Sequence, residues 1–146
     1  MLAVSACGED DKLRTAFLRD AGPVCRQAAL ADGAIAARIG IAQRGNDPAA
    51  VYSDVAALVR RRAATAQRYL NRLDTLTVPD DDRDRLKSWL ADRRRQQDLT
   101  LQLAAAFVAQ SDTRISTLSQ EIDALASQNA AFATRYGLPE CAKGAT

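Results

Sequence analysis

From Val55 to Leu76 the chain repeats one spacing, with Val55, Val59, Arg62, Ala66, Tyr69, Leu73 and Leu76 following one another at alternating intervals of four and three. Such intervals keep residues on one side of an α-helix, and sustained over this length they form the seam along which helices of a bundle meet. A helix with that seam needs partners. The rest of the chain can supply them, because it is rich in Ala, Leu and Arg and holds only 7 Gly and 4 Pro in 146 residues, so good helix formers run with few interruptions. That length suits one ordinary domain.

Punctuation divides the chain into helices. Lys12 to about Asp20 reads as a short helical approach with Leu13, Phe17 and Leu18 on one side, interrupted at Gly22-Pro23. The first main helix runs from Pro23 to about Gln43 and carries Val24, Ala28, Ile35, Ile39 and Ala42; Arg44-Gly45-Asn46 ends it. Asp47-Pro48 restarts the chain as a helix that reaches about Leu76, since Asp caps exposed amides and Pro at the first helical position has its φ already set. After the Val78-Pro79-Asp80 break, Asp80, Asp81, Asp82 and Asp84 suit the positive end of a helix dipole. The third helix places Leu86, Trp89, Leu90, Leu99, Leu101, Leu103, Phe107 and Val108 on its apolar positions and ends near Gln110. Ser111 or Asp112 caps the fourth, which carries Ile115, Leu118, Ile122, Leu125, Ala126, Phe132 and Ala133 and stops at Gly137-Leu138-Pro139. Short connections force neighbours to fold back on each other. The expectation is an all-α, up-down-up-down antiparallel four-helix bundle with a short N-terminal helical approach. It forms one domain over residues 12–141, followed by a disordered tail over 142–146.

The chemistry is narrowed by what is missing. The sequence has no His, so His-based triads, His–Cys dyads and HExxH zinc sites are not available to it. Its glycines form no phosphate-binding loop and its Ser and Thr residues have no evident activating base. No cysteine spacing matches a redox or zinc motif. These features predict a protein that is not an enzyme and uses no metal or cofactor. With 20 basic against 18 acidic residues the net charge is +2, which points to no nucleic-acid partner. A cytoplasmic nucleic-acid-binding bundle would have to rely on the triplets Arg60-Arg61-Arg62 and Arg93-Arg94-Arg95 for its phosphate contacts.

Location is read from the N-terminus. Val4-Ser5-Ala6-Cys7 resembles a bacterial lipobox, in which the cysteine sulfur receives a diacylglycerol, and Cys7 is accordingly the expected lipid attachment site and link to the membrane. The apolar run before Cys7 is shorter than the roughly 7–15 residues of a signal core and has no basic residue ahead of it. Residues 1–6 therefore read as the remnant of a lipoprotein signal peptide whose precursor starts upstream of Met1, and residues 7–11 as an acidic tether. Were Met1 the native start, the chain would be cytoplasmic. With Cys7 acylated, Cys25 and Cys141 are left to pair, and in an antiparallel bundle they fall at the same end, near the start of the first helix and just past the end of the fourth. The lipobox-like cysteine, the acidic tether, Phe17 eight residues before Cys25, and the ending Ala133-Thr134-Arg135-Tyr136-Gly137-Leu138-Pro139-Glu140-Cys141 together resemble small exported helical lipoproteins of high-GC Gram-positive bacteria. That resemblance implies an envelope location and this fold, and brings no catalytic residue with it. The functional expectation is a lipid-anchored, extracytoplasmic, non-enzymatic binding or interaction module of the cell envelope, its partner either an envelope protein or a small anionic ligand.

One stretch breaks the apolar pattern. Asp92-Arg93-Arg94-Arg95-Gln96-Gln97-Asp98 is polar for about two turns in mid-helix. Folding the helices back places Arg60 to Arg62, Ser127 to Asn129, Gln27 and Asp32 near the same level. One reading is a polar waist that binds an anionic group through Arg62, Arg93, Arg94, Gln97 and Gln128, as in a soluble binder of small anions. A second has the arginines facing solvent and pairing with Asp54, Asp92 or Asp98. A third is a buried polar layer that fixes the register of the bundle.

Overall fold

The computed structural model describes residues 6–143, with the side chains of Ala6 and Cys7 left undescribed; residues 1–5, most of the signal-peptide remnant, and 144–146 of the tail lie outside. Among the described residues the chain is all-helical: α1 (Ala6–Ala42), α2 (Pro48–Asp74), a 3-10 turn (Asp80–Asp82), α3 (Arg83–Val108), α4 (Asp112–Tyr136) and the single turn α5 (Pro139–Ala142). The four long helices pack as a helical bundle, α2 against α1 and α3, α3 against α4, and α5 against both α1 and α4. No described helix is long and apolar enough to cross a membrane.

Local chemistry accounts for most boundaries. The Asp47 side chain accepts a hydrogen bond from the Ala49 amide at 3.1 Å, and Pro48 occupies the first turn of α2. Gly137 ends α4 in the left-handed region at φ 98°, and the Leu138 amide reaches back to the Ala133 carbonyl at 2.8 Å. Pro139 then starts α5, so the residue expected only to stop the fourth helix also opens the turn that carries Cys141.

Two expectations need correction. Gly22-Pro23 does not separate an approach from a first helix: α1 is continuous through Pro23, and the acidic residues expected as a tether lie in its first turns. A mid-helix proline costs about 3 kcal/mol through one lost hydrogen bond and a ring clash. Here Phe17 and Ala21 before it and Val24 and Cys25 after it are all buried in one core cluster, so packing on both flanks holds the helix together. Pro23 itself is exposed, as are Arg19 and Asp20, so the carbonyl that loses its partner faces water. The second correction concerns α3, where Leu101 and Val108 are 48% and 55% exposed instead of buried. The buried line of that helix passes through Leu86, Leu90, Gln97, Thr100 and Ala104, with half-buried Arg93 within it.

The apolar core is in two parts. One cluster gathers Phe17, Val24, Leu70, Leu73, Leu86, Trp89, Tyr136 and Leu138 with the Cys25–Cys141 disulfide, whose Cα atoms are 4.7 Å apart. Trp89, Phe132 and Tyr136 stack in sequence with ring centroids 5.6 and 5.7 Å apart, and Phe17 meets Tyr136 edge-on at 6.1 Å. The other cluster joins Val55, Val59 and Ala104 with Ile39, Leu103 and Phe107 at the far end. A disulfide spanning 116 residues restricts the unfolded chain by about 4–5 kcal/mol in the loop-entropy account.

The α3–α4 turn carries a local cost. Gln110 sits at φ 51° in the left-handed region, where a side chain is disfavoured by roughly 1 kcal/mol. Gln110→Gly is expected to raise stability by roughly 0.5–1 kcal/mol, less what glycine adds to unfolded-chain entropy, as read by thermal denaturation.

Candidate functional site

Between the two core clusters the helices turn polar groups toward one another. Arg62 of α2 grips Asp32 of α1 through two hydrogen bonds, Nε to Oδ1 at 2.5 Å and Nη2 to Oδ2 at 2.7 Å, with both side chains partly buried. The bond to Asp32 raises the Arg62 pKa further, against the effect of burial, with the Asp32 and Asp123 charges adding to it. On α3, Gln96, Gln97 and Thr100 are buried; Thr100 donates to the Gln96 carbonyl at 2.9 Å, and Asn129 Nδ2 of α4 donates to Gln96 Oε1 at 3.1 Å. Trp89 Nε1 donates to the Asn129 carbonyl at 3.3 Å. Each long helix thus contributes a polar group at this level.

Most of these groups line a partly open cavity of about 80 Å³ between the helices. Its polar wall includes Asp32, Arg62, Thr65, Arg93, Gln96, Gln97, Thr100 and Asp123. Its apolar wall is formed by Val24, Leu70, Leu73 and Trp89, beside the disulfide. A water needs roughly 10–15 Å³ on this measure, so the space holds several waters or one small molecule.

Arg93 is the anomaly. Its Nε and Nη1 atoms are sealed from solvent and have no hydrogen-bond partner. Burial lowers its pKa, opposed by the Asp32 charge, yet a guanidinium keeps its proton. Both Asp32 oxygens are taken by Nε and Nη2 of Arg62, so Arg93 meets Asp32 through its charge alone, and its sealed Nε and Nη1 lie out of reach of the cavity. A buried donor without an acceptor costs about 1–3 kcal/mol, and more when charged.

Of the residues singled out from the sequence, Arg62, Arg93 and Gln97 meet at this cavity. Arg94 points elsewhere and pairs with Asp74 of α2 at 2.9 Å. Gln128 lines a separate open groove between α3 and α4 with Asp84, Ser88 and Asp92. Cys25 and Cys141 form their disulfide at the cavity wall, and Cys7, the expected lipid attachment site, has no described side chain. Thr65, Gln96, Thr100 and Asp123 were not foreseen as lining residues. Counting polar residues into the four-and-three spacing of α3 would have found Thr100, because Leu86, Leu90, Arg93, Gln97, Thr100, Ala104 and Phe107 keep that spacing without a break.

A second buried cluster lies below the cavity. Tyr136 donates its hydroxyl hydrogen to Asp82 Oδ2 at 2.7 Å, Arg85 bonds Asp82 Oδ1, and Arg14 stands 3.9 Å from the same carboxylate. Arg14 also lies over the Tyr136 ring, 4.9 Å from its centroid. Asp82 is therefore a core acid and more than a helix-dipole partner. Burial alone would raise its pKa; the Tyr136 and Arg85 hydrogen bonds and the Arg85 and Arg14 charges outweigh this and hold it below the usual carboxylate range. Tyr136 is displaced upward, by burial first and by Asp82 second.

Among the described residues no group of three His, Cys, Asp or Glu side chains is placed to hold a metal ion. Comparison with protein-family models, curated proteins and solved structures finds no match.

The lowered pKa of Asp82 sets an acid dependence. The unfolded chain takes up the proton at higher pH than the folded one, so this contribution is complete above about pH 4 and is lost as pH falls through the folded value. Tyr136→Phe should remove the hydrogen bond, cost about 1–3 kcal/mol at pH 7 and flatten the acid limb of stability below pH 4, measured by urea denaturation across pH.

Proposed function

We propose that the chain is a lipid-anchored, extracytoplasmic helical bundle of the cell envelope that works by non-enzymatic binding, and that the bound group is a small anion held in the mid-bundle cavity. The observation that carries the binding half is the pocket itself, where Arg62, Arg93 and Gln97 come together on one lining. The helices run up-down-up-down and antiparallel in this reading. Cross-helix pairs support it, since Gln27 meets Arg72 and Asp32 meets Arg62, while Asp82 meets Tyr136 and Gln96 meets Asn129, residue numbers rising on one helix as they fall on its neighbour.

Support for the anchor comes from the chain's cysteines. The disulfide is compatible with an oxidising compartment, and it leaves Cys7 as the cysteine outside the pair, within the lipobox-like Val4-Ser5-Ala6-Cys7. A diacylglycerol there would attach the protein by two acyl chains, enough for stable anchoring.

Mass spectrometry of the protein expressed from its native locus checks the anchor: Cys7 is expected as the N-terminal residue carrying acyl mass, and an unmodified Cys7 thiol on a chain retaining Met1 would overturn it. Trp89 checks the cavity, as the one Trp of the sequence and part of the lining. Titration with a panel of small carboxylates and phosphates is expected to change its emission in the wild type and to leave it unchanged in Arg93→Met. The same response in both would remove Arg93 from the site.

A further inference from the structure

The open groove between α3 and α4 has a volume of about 400 Å³. Small-molecule sites run from roughly 300 to 1,000 Å³, so the groove is large enough to be one. Its charged lining is Asp84, Arg85 and Asp92, which leaves one negative charge in excess. The cations of this stretch are engaged elsewhere or lie outside it: Arg83 pairs with Asp80, Arg85 with Asp82 and Arg94 with Asp74, while Lys87 and Arg95 are exposed and take no part in the lining. Asp84 and Asp92 form no ion pair among the described residues. They stand two turns apart on α3, about 12 Å.

Hydrogen-bond donors are short at the Asp92 end. Trp89 Nε1 is taken by the Asn129 carbonyl and Asn129 Nδ2 by Gln96 Oε1. Bonded to Trp89 on one side and to Gln96 on the other, Asn129 sits at the level of Asp92, midway between those two on α3. Asn129 is only 2% exposed, and its Oδ1 accepts no hydrogen bond among the described residues. Unlike Nε and Nη1 of Arg93, that oxygen is not sealed from solvent, and Asn129 lines the groove. A buried amide oxygen beside an unpaired carboxylate calls for N–H groups. Arg85 stands at the other end, next to Asp84, so a cation is favoured at Asp92.

The aromatic lining sets the shape of what accompanies the charge. Phe132 is stacked between Trp89 and Tyr136, with centroids 5.6 and 5.7 Å away, so both of its faces are covered and its edge is what it offers to the groove. A ring edge is positively polarised and attracts the face of another ring in preference to a cation.

We infer that the groove binds a small aryl monocation, an amidinium or ammonium group carried on a flat ring, with its N–H groups on Asp92 and Asn129 Oδ1 and the face of its ring on the edge of Phe132. The site is opposite in sign to the mid-bundle cavity and independent of what that cavity holds.

Trp89 lines both spaces, so heat is the readout that suits the groove in place of indole emission. Calorimetric titration of the full chain with benzamidine, neutral benzamide and acetamidine tests the assignment. Benzamidine is expected to bind saturably, with benzamide and acetamidine each about tenfold weaker or more, the first for want of the charge and the second for want of the ring. Asp92→Asn, a near-isosteric change at an exposed position, is expected to weaken benzamidine about tenfold, and Asp84→Asn to weaken it much less. Benzamide binding as well as benzamidine would overturn the cationic assignment, and acetamidine binding as well would overturn the aryl body. An unchanged affinity in Asp92→Asn, or no saturable benzamidine binding to the wild type, would overturn the site.

Discussion

Two half-buried charges, Arg62 and Asp32, face each other in the middle of the bundle, and much of the surrounding structure follows from keeping them together. Leaving either unpaired would cost several kcal/mol, and sliding α1 along α2 by one turn, about 5.4 Å, would do so. Aliphatic residues at these positions would tolerate such a slide far better. The pair therefore fixes the level at which α1 and α2 meet. The Asn129–Gln96 bond sets the corresponding level for α3 and α4. Apolar packing above and below is divided into two clusters because this polar layer lies between them.

The larger cluster is where different kinds of constraint converge. Tyr136 stacks on Phe132, meets the edge of Phe17, and donates to Asp82, so the end of α4, the start of α3 and the early part of α1 share one residue. The disulfide fixes α5 on α1 in the same region. This density of contacts explains why α1 passes through Pro23 unbroken. The local preference to end a helix at Gly-Pro is worth a few kcal/mol and is outweighed by burying four residues within two turns of it.

Much of this was legible in the sequence. The seam of α2, the Asp47-Pro48 cap, the Gly137 stop and the pairing of Cys25 with Cys141 followed from spacing, turn chemistry and cysteine counting. What the sequence does not disclose has a common cause, which is that local rules do not register burial. Gly22-Pro23 has the propensity of a break, and propensity carries nothing about what packs on either side. Leu101 and Val108 are apolar yet exposed, because on α3 the line that points inward is polar at Arg93, Gln97 and Thr100. Nothing in the run Asp80-Asp81-Asp82 marks Asp82 as the one that meets a tyrosine 54 residues away.

The covalent link also changes what the chain is as an object. Because it joins Cys25 to Cys141, the stretch between them is a closed ring that contains about half of α1, all of α2, α3 and α4, and every connection between them. A single peptide-bond cut anywhere in that ring, at exposed Gly45 for instance, opens the ring without dividing the molecule. Both fragments would remain joined through the sulfurs and held by the same packing. One nick would therefore leave the residues ahead of Cys25 attached to everything they were attached to before.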